Sequence, residues 1–238
     1  MAEPYEVLSR VYDLEWGEFA PRFIPLIVKI LRDSNPHGVR ILDLACGTGI
    51  LATELAMQGY RVVGVDRSRG MIERAREKSN GENPVFYLQD MEFFNVNGTF
   101  NLVTCVFDSI NYLKSKEQLK NMFSRVFSVL EPGGCFLFDS ATHRMFREFH
   151  RGKFSYNLDG LRFTQYLVYR PLRRIAETRF DFGNGLEEIH YQYPHGYAKL
   201  KRILAECGFT YIKKISYSYK KNYNISRKRL VCIARKPL

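Results

Sequence analysis

Between residues 39 and 139, short runs rich in β-branched apolar residues alternate with stretches whose apolar positions recur every three or four residues. VRILDLA, RVVGVD, PVFYLQD, FNLVTCVF and GGCFLFD read as strands, and the stretches near 50–58, 68–79 and 115–130 read as helices. Strands that are apolar on both faces and separated by helices imply a parallel sheet covered on both sides through right-handed crossovers. The pattern predicts an open, doubly wound α/β domain.

The flanks read differently. Val7, Val11, Phe23, Ile27, Ile30 and Leu31 fall at helical spacing, interrupted near Gly17 and Pro21, so one or two helices lead into the first strand. Beyond residue 150, FSYNLDG, LRFTQYLVYRP, IAETRFDFGNG and LEEIHYQYP alternate polar and apolar positions. Turn-forming pairs such as Asp159-Gly160 and Asn184-Gly185 separate them, as in an antiparallel meander. YAKLKRILAECG reads as a helix ending at Gly208, followed by two strands, FTYIKKISYSY and KRLVCIARK. The expected organisation is an α/β core from residues 1–150 and 196–238, opening with helices in 1–35, and an antiparallel β insertion over 151–195.

Composition adds class and compartment. With 238 residues and 45% apolar content, the chain can bury a substantial core. The opening MAEPYEVLSRVYDLEW resembles neither a signal nor a transit peptide, and no run approaches the ~18 apolar residues of a membrane span. A soluble cytoplasmic protein without membrane contact is expected. Cys46, Cys105, Cys135, Cys207 and Cys232 are odd in number and mostly set in apolar strands, as small buried hydrophobes in a reducing compartment would be. No HxxxH or CxxC spacing occurs, and no metal is expected.

Charge divides the chain. Residues 1–143 hold 15 Lys and Arg against 18 Asp and Glu, whereas residues 144–238 hold 21 against 7. The basic excess of the C-terminal part is either a solvated face or a surface for an anionic partner such as RNA.

The chemistry gathers around ILDLACGTGIL, residues 41–51. Gly47 and Gly49, between a strand and a helix, let the backbone bend and a ligand approach. Ala52 completes GxGxxA, so the stretch alone leaves a dinucleotide open, while the absence of GK[ST] sets aside a Walker-type phosphate site. Asp66 ends the second strand 17 residues after Gly49, where a carboxylate can take both ribose hydroxyls, and Asp90 ends the third, where it can accept from a base amine. Acids at successive strand ends, beside the switch point of an open sheet, argue for one adenosine.

These residues make the chain similar to the class I S-adenosylmethionine-dependent methyltransferases, in their small-molecule branch. Asp43-Leu44-Ala45-Cys46-Gly47-Thr48-Gly49 matches the glycine-rich signature, Asp66 the ribose acid, and Asp90 with Met91 the adenine site; FDSINYL and LEPGGCFLFD follow as in that branch. The resemblance covers residues 36–140 strongly and the region from Gly208 weakly. It implies a mostly parallel seven-stranded sheet whose last strand is antiparallel, S-adenosylmethionine as cofactor, and N-terminal helices covering it. The implied cofactor set is Tyr12, Asp43, Ala45, Cys46, Gly47, Gly49, Asp66, Arg67, Met71, Asp90, Met91 and Phe107, with Tyr5 and Trp16 beside Tyr12. Asp43 would repel phosphate yet suit the α-ammonium of a methionine moiety, and an aromatic face suits a sulfonium.

Asp108, Asn111 and Tyr112, just beyond strand four, are the implied residues nearest the acceptor. The meander sits where the family places a lid, and its Tyr156, Phe163, Tyr166, Tyr169, Tyr191, Tyr193 and His195 suit a planar or apolar acceptor. FDSINYL is not the NPPY-type sequence of base and glutamine methylation. The expected activity is in-line methyl transfer to an oxygen or nitrogen of a small molecule, anionic or aromatic. Alternatives are an RNA methyltransferase, a non-catalytic adenosylmethionine-binding protein, and an NAD-dependent dehydrogenase. Monomer and homodimer both stay open.

Overall fold

A computed structural model describes residues 2–32, 36–148, 151–220, 223–225 and 229–238. The tail of the predicted leading helices at 33–35, the predicted boundary at 149–150 and the first residue of KRLVCIARK, Lys228, lie outside them.

Helices α1 (Tyr12–Trp16) and α2 (Ile24–Leu31) precede strand β1 (Arg40–Leu44). Then follow α3 (Ile50–Met57), β2 (Arg61–Asp66), α4 (Arg69–Glu77), β3 (Val85–Leu88), β4 (Phe100–Cys105), α5 (Lys116–Val129) and β5 (Leu130–Ala141). The expected alternation holds because local chemistry agrees with it. Ser68 caps α4 by accepting from the Met71 N–H, and Ser115 with Gln118 closes a reciprocal capping box on α5.

After α6 (His143–Glu148) come β6 (Arg151–Leu158), β7 (Leu161–Arg170), β8 (Ile175–Asp181) and β9 (Glu187–Gln192), and then α7 (Tyr197–Glu206). The chain closes with β10 (Tyr211–Ile215), β11 (Ser218–Lys220), β12 (Tyr223–Asn224) and β13 (Arg229–Arg235). The main sheet has seven strands in the order β10-β13-β5-β4-β1-β2-β3. β13 alone runs against its neighbours, pairing antiparallel with β5 and β10. Successive residues feed opposite cores: Leu42, Phe136 and Phe138 pack toward α5 and α7, while Ile41, Leu137 and Val231 pack toward α2 and α3. No helix among the described residues is long and apolar enough to cross a membrane.

β6, β7, β8 and β9 form a separate antiparallel sheet in sequence order. Asp159-Gly160 and Asn184-Gly185 take the positive φ values their hairpin turns require.

FTYIKKISYSY is not the single strand its alternation suggests. Tyr217 turns inward, stacks on Phe23 at 5.9 Å and donates its hydroxyl to the Arg22 carbonyl at 2.7 Å. That anchor takes the chain out of the main sheet after Ile215, and β11 pairs with β12 in a two-stranded ribbon.

Candidate functional site

At the carboxyl ends of β1, β2 and β4 the chain leaves the sheet in successive turns. A cavity of about 260 Å³ opens there, between the turns, the N-terminal helices and the four-stranded sheet. Its floor is the glycine turn, where Ala45, Gly47 and Gly49 all adopt positive φ. The two glycines do different work. A Cβ on Gly47 would meet nothing within 4 Å, so its backbone is open to a ligand, whereas one on Gly49 would lie 2.5 Å from the Phe86 ring. Gly49 therefore permits α3 to pack on β3 and α4, and it is not a cavity wall, contrary to its expected part in admitting ligand.

Asp43 and Asp66 flank this turn. Asp43 is buried and accepts from the Thr104 hydroxyl at 2.7 Å; burial pushes its carboxyl up to about 7. Asp66 accepts from the Gly47 and Ser68 N–H groups at 2.9 and 2.8 Å. Burial raises its pKa, and these bonds work in the opposite direction. Ala45, Cys46, Arg67, Met71 and Met91 complete the wall. Asp90 stands outside it: one oxygen accepts from the Glu92 N–H at 2.8 Å, and the other faces Arg67 at 3.9 Å.

Tyr5, Tyr12 and Trp16 form the roof. Tyr12 lies edge-on to Tyr5 at 5.8 Å, and Trp16 reaches the lid rings of Tyr156 and Phe180. Between them Asp13 accepts from the Thr48 hydroxyl and the Lys78 ammonium, clasping the first helix to the glycine turn.

The loop after β4 is strained. Phe107 and Asp108, neither of them glycine, occupy the left-handed region in succession at φ of 61° and 53°, a conformation that costs roughly 1–3 kcal/mol per residue and is held only by its surroundings. Those surroundings are explicit. Phe107 stacks on Phe19 at 4.2 Å, and the Arg229 guanidinium sits over both rings, at 5.0 Å from Phe107 and 4.5 Å from Phe19. Asp108 does not cap the following turn; it pairs with Arg229 and accepts from Gln192. Arg229 also binds Asp139 at 2.9 Å, where burial still pushes the Asp139 carboxyl up to about 6.

Asn111 and Tyr112 part company. Asn111 is fully buried and lies outside the cavity walls: its amide donates to the Ala141 and Tyr193 carbonyls and accepts from the Ser140 hydroxyl and the Ala141 N–H. All its capacity is used, so it is placed to hold the loop rather than to meet an acceptor. Tyr112 does line the cavity, and its oxygen lies 2.6 Å from that of Tyr5 and 2.9 Å from His190 Nδ1. Burial raises the Tyr112 pKa well above the usual phenol range. His190 Nε2 lies 3.3 Å from Glu188, whose carboxylate also accepts the backbone N–H groups of Tyr5, Val7 and Leu8.

The four-stranded sheet meets the cavity through Gln165, Leu167, Thr178, Phe180, His190 and Gln192, and none of the seven residues expected of a lid does so. Tyr156 and Phe163 are absorbed into the cluster around Trp16, and Tyr169 packs on Phe146. Tyr166 lies under Arg179, Tyr191 is exposed, and the Tyr193 backbone pairs with Asn111. His195 is buried with its Nε2 on the Leu113 carbonyl; burial lowers its pKa to about 4, which keeps it neutral. In LEEIHYQ, Glu188, His190 and Gln192 share one face at two-residue spacing, and that alternation was the available signal for them. Nothing local marks Arg229, which joins the site only through the register of β13 with β5.

Comparison with known proteins agrees with this geometry. Residues 41–134 match the family model described as a methyltransferase domain. The YqeM protein of Bacillus subtilis (strain 168), assigned to the methyltransferases, is 33% identical over 215 residues, covering 86% of each chain. The dTDP-3-amino-3,6-dideoxy-alpha-D-glucopyranose N,N-dimethyltransferase of Streptomyces fradiae is 31% identical over 130 residues, 53% of this chain and 50% of its own. The crystal structure of an S-adenosylmethionine-dependent methyltransferase from Clostridium acetobutylicum ATCC 824 superposes with a TM-score of 0.79 over 98% of this chain and 99% of its own, at 23% identity.

Proposed function

Because the chain belongs to the class I S-adenosylmethionine-dependent methyltransferases, we propose that its cavity binds S-adenosylmethionine and directs the methyl group, by in-line displacement, to an oxygen or nitrogen of a small acceptor. The observation that carries this reading is the open backbone at Gly47, flanked by the Asp43 and Asp66 carboxylates and roofed by Tyr5 and Tyr12. A nucleoside bearing an amino acid suits such a wall: a ribose for Asp66, an ammonium for Asp43, and aromatic faces for a sulfonium. A pyrophosphate would face two carboxylates. The donor is already activated by its charge, so placing the acceptor in line supplies much of the rate.

On the acceptor side Asp108 is paired with Arg229, which also binds Asp139, while in this reading Asp43 and Asp66 face the cofactor. An amine nitrogen as acceptor is in keeping with the amino-sugar relative. The five unpaired cysteines accord with a reducing cytoplasm.

Calorimetric titration with S-adenosylhomocysteine and with NAD tests the reading. Saturable heat with the first alone is expected, and binding of NAD alone would overturn it.

A further inference from the structure

We propose that Glu188, His190 and Tyr112 form a proton relay opening into the cavity, in which the Tyr112 oxygen takes the proton released as the acceptor is methylated. This rests on the methyl-transfer reading above.

The geometry orients each member. Glu188 has no exposed surface, and three backbone N–H groups, of Tyr5, Val7 and Leu8, fix its carboxylate. A carboxylate accepts only, so His190 Nε2, at 3.3 Å, presents its hydrogen to it. That places the lone pair of the neutral imidazole on Nδ1, toward the Tyr112 hydroxyl at 2.9 Å. Tyr112 thus donates to His190, which leaves its oxygen two acceptor positions. Tyr5 takes one at 2.6 Å, and the other is the position the relay offers to the acceptor, Tyr112 being part of the cavity wall. The rings of Tyr5 and Phe180 meet the imidazole edge-on at 4.5 and 5.1 Å and hold its orientation. The titratable groups facing the relay are Tyr5 from the N-terminal segment, Tyr112 from the loop after β4 and Glu188 on the same strand. Asp108, Tyr12 and Arg67 act on Tyr112 through space.

In the step, a lone pair of the acceptor atom forms the new bond to the methyl carbon, and the carbon–sulfur bond breaks with its pair remaining on sulfur. The acceptor's proton passes to the Tyr112 oxygen as the Tyr112 proton passes to His190 Nδ1. Tyr112 stays neutral throughout, as its raised pKa requires, and the imidazolium stands beside the buried Glu188 carboxylate until it releases the proton to water. His190 and Tyr112 are the catalytic pair; Glu188 is a positioning residue.

The test reads the histidine tautomer in the full-length chain by two-bond 1H–15N correlation, with His190→Gln supplying the assignment. We expect His190 in the Nε2–H form, with an Nδ1 resonance that shifts in Tyr112→Phe and an Nε2 resonance that shifts in Glu188→Gln. An Nδ1–H tautomer, or imidazole resonances unmoved by Tyr112→Phe and Glu188→Gln, overturns the relay. Glucosamine and tyramine serve as amine and phenol probes with tritiated methyl donor. His190→Gln should lower kcat on the order of 100-fold at pH 7 with KM little changed and the loss narrowing as pH rises; an unchanged kcat also overturns it. If the wild type methylates neither probe, the tautomer decides. S-adenosylhomocysteine binding by the same samples keeps the readings apart. Absence of binding by the wild type sinks methyl transfer, whereas normal binding with the reversed tautomer sinks the relay alone.

Discussion

The backbone N–H of Gly47 donates to the Asp66 carboxylate at 2.9 Å, so the acid that ends β2 fastens the glycine turn that follows β1. Its other oxygen takes the Ser68 N–H, the Arg67 N–H adds to these, and the carboxylate keeps lone-pair capacity for a further donor. Asp66→Ala removes the turn's anchor and, in the proposed reading, the ribose acceptors. With about 1.5–3 kcal/mol for a hydrogen bond to a charged group, S-adenosylhomocysteine affinity should fall by roughly one to two orders of magnitude by calorimetry. Unchanged affinity would remove Asp66 from the cofactor site.

The glycines of the turn separate by substitution. Both have positive φ, so alanine at either costs about 1–2 kcal/mol of backbone strain. Only at Gly49 does the new methyl also collide, 2.5 Å from Phe86 and 2.9 Å from Ala75, which adds roughly 1–3 kcal/mol of overpacking. Urea denaturation should therefore rank Gly49→Ala below Gly47→Ala in stability. Ligand binding should rank them the other way among the molecules that remain folded, because the Gly47 methyl projects into open cavity.

Asp43 carries a pH signature. Its folded pKa of about 7 lies above the ordinary carboxylate value, so the fold holds this proton more tightly than the unfolded chain does. Its contribution is full below the unfolded pKa of about 3.9 and is lost as pH rises toward 7. Asp43→Asn should stabilise the apoprotein above pH 7 relative to wild type and flatten the dependence between pH 4 and 7; the residual slope belongs to Asp139 and Asp66, which are shifted in the same direction. An ammonium seated beside Asp43 favours the carboxylate, so wild-type binding near pH 6 should release a proton. Calorimetry in buffers of different ionisation enthalpy measures that release, and its presence in Asp43→Asn would place the proton elsewhere.

Asn111→Ala discriminates scaffold from chemistry. It removes the partners of the Ala141 N–H and the Tyr193 carbonyl and one of those of the Ala141 carbonyl, and a lost buried network of this size costs roughly 2–4 kcal/mol. The melting temperature should drop by roughly 4–16 °C, on the scale of about 2–4 °C per kcal/mol for a chain of this length, while activity per folded molecule is largely retained. A stable variant lacking activity would return Asn111 to the acceptor.

The α/β frame was legible because its signals are local. Runs such as RVVGVD end in the acids that face the cavity, and Ser115 announces α5. Asp43, Asp66 and the glycine turn lie within one short span where residue type and backbone requirement coincide. The lid was legible as strands but not as a wall, because aromatic residues that alternate well also pack well, and Trp16 and Phe146 took the rings. Polar Gln165, Thr178 and Gln192 reached the cavity in their place. Asp108 was legible as a residue near the acceptor but not as half of an ion pair, because its partner, Arg229, lies 121 residues away. FTYIKKISYSY read as one strand because alternation does not show that Tyr217 will be captured by Arg22.

The Glu188 carboxylate binds the N–H of Leu8 across 180 residues of sequence, and this has a consequence for how the chain is made. Synthesis proceeds from the amino end, and domains assemble as their parts emerge, so the bonds from Tyr5, Val7 and Leu8 to Glu188 wait until β9 has left the ribosome. The loop after β4 waits longer, for Arg229 on the final strand. The chamber, whose floor lies at residues 45–49, is therefore closed only once residue 229 has emerged, and a chain stalled before that point would present its glycine turn without a finished site around it.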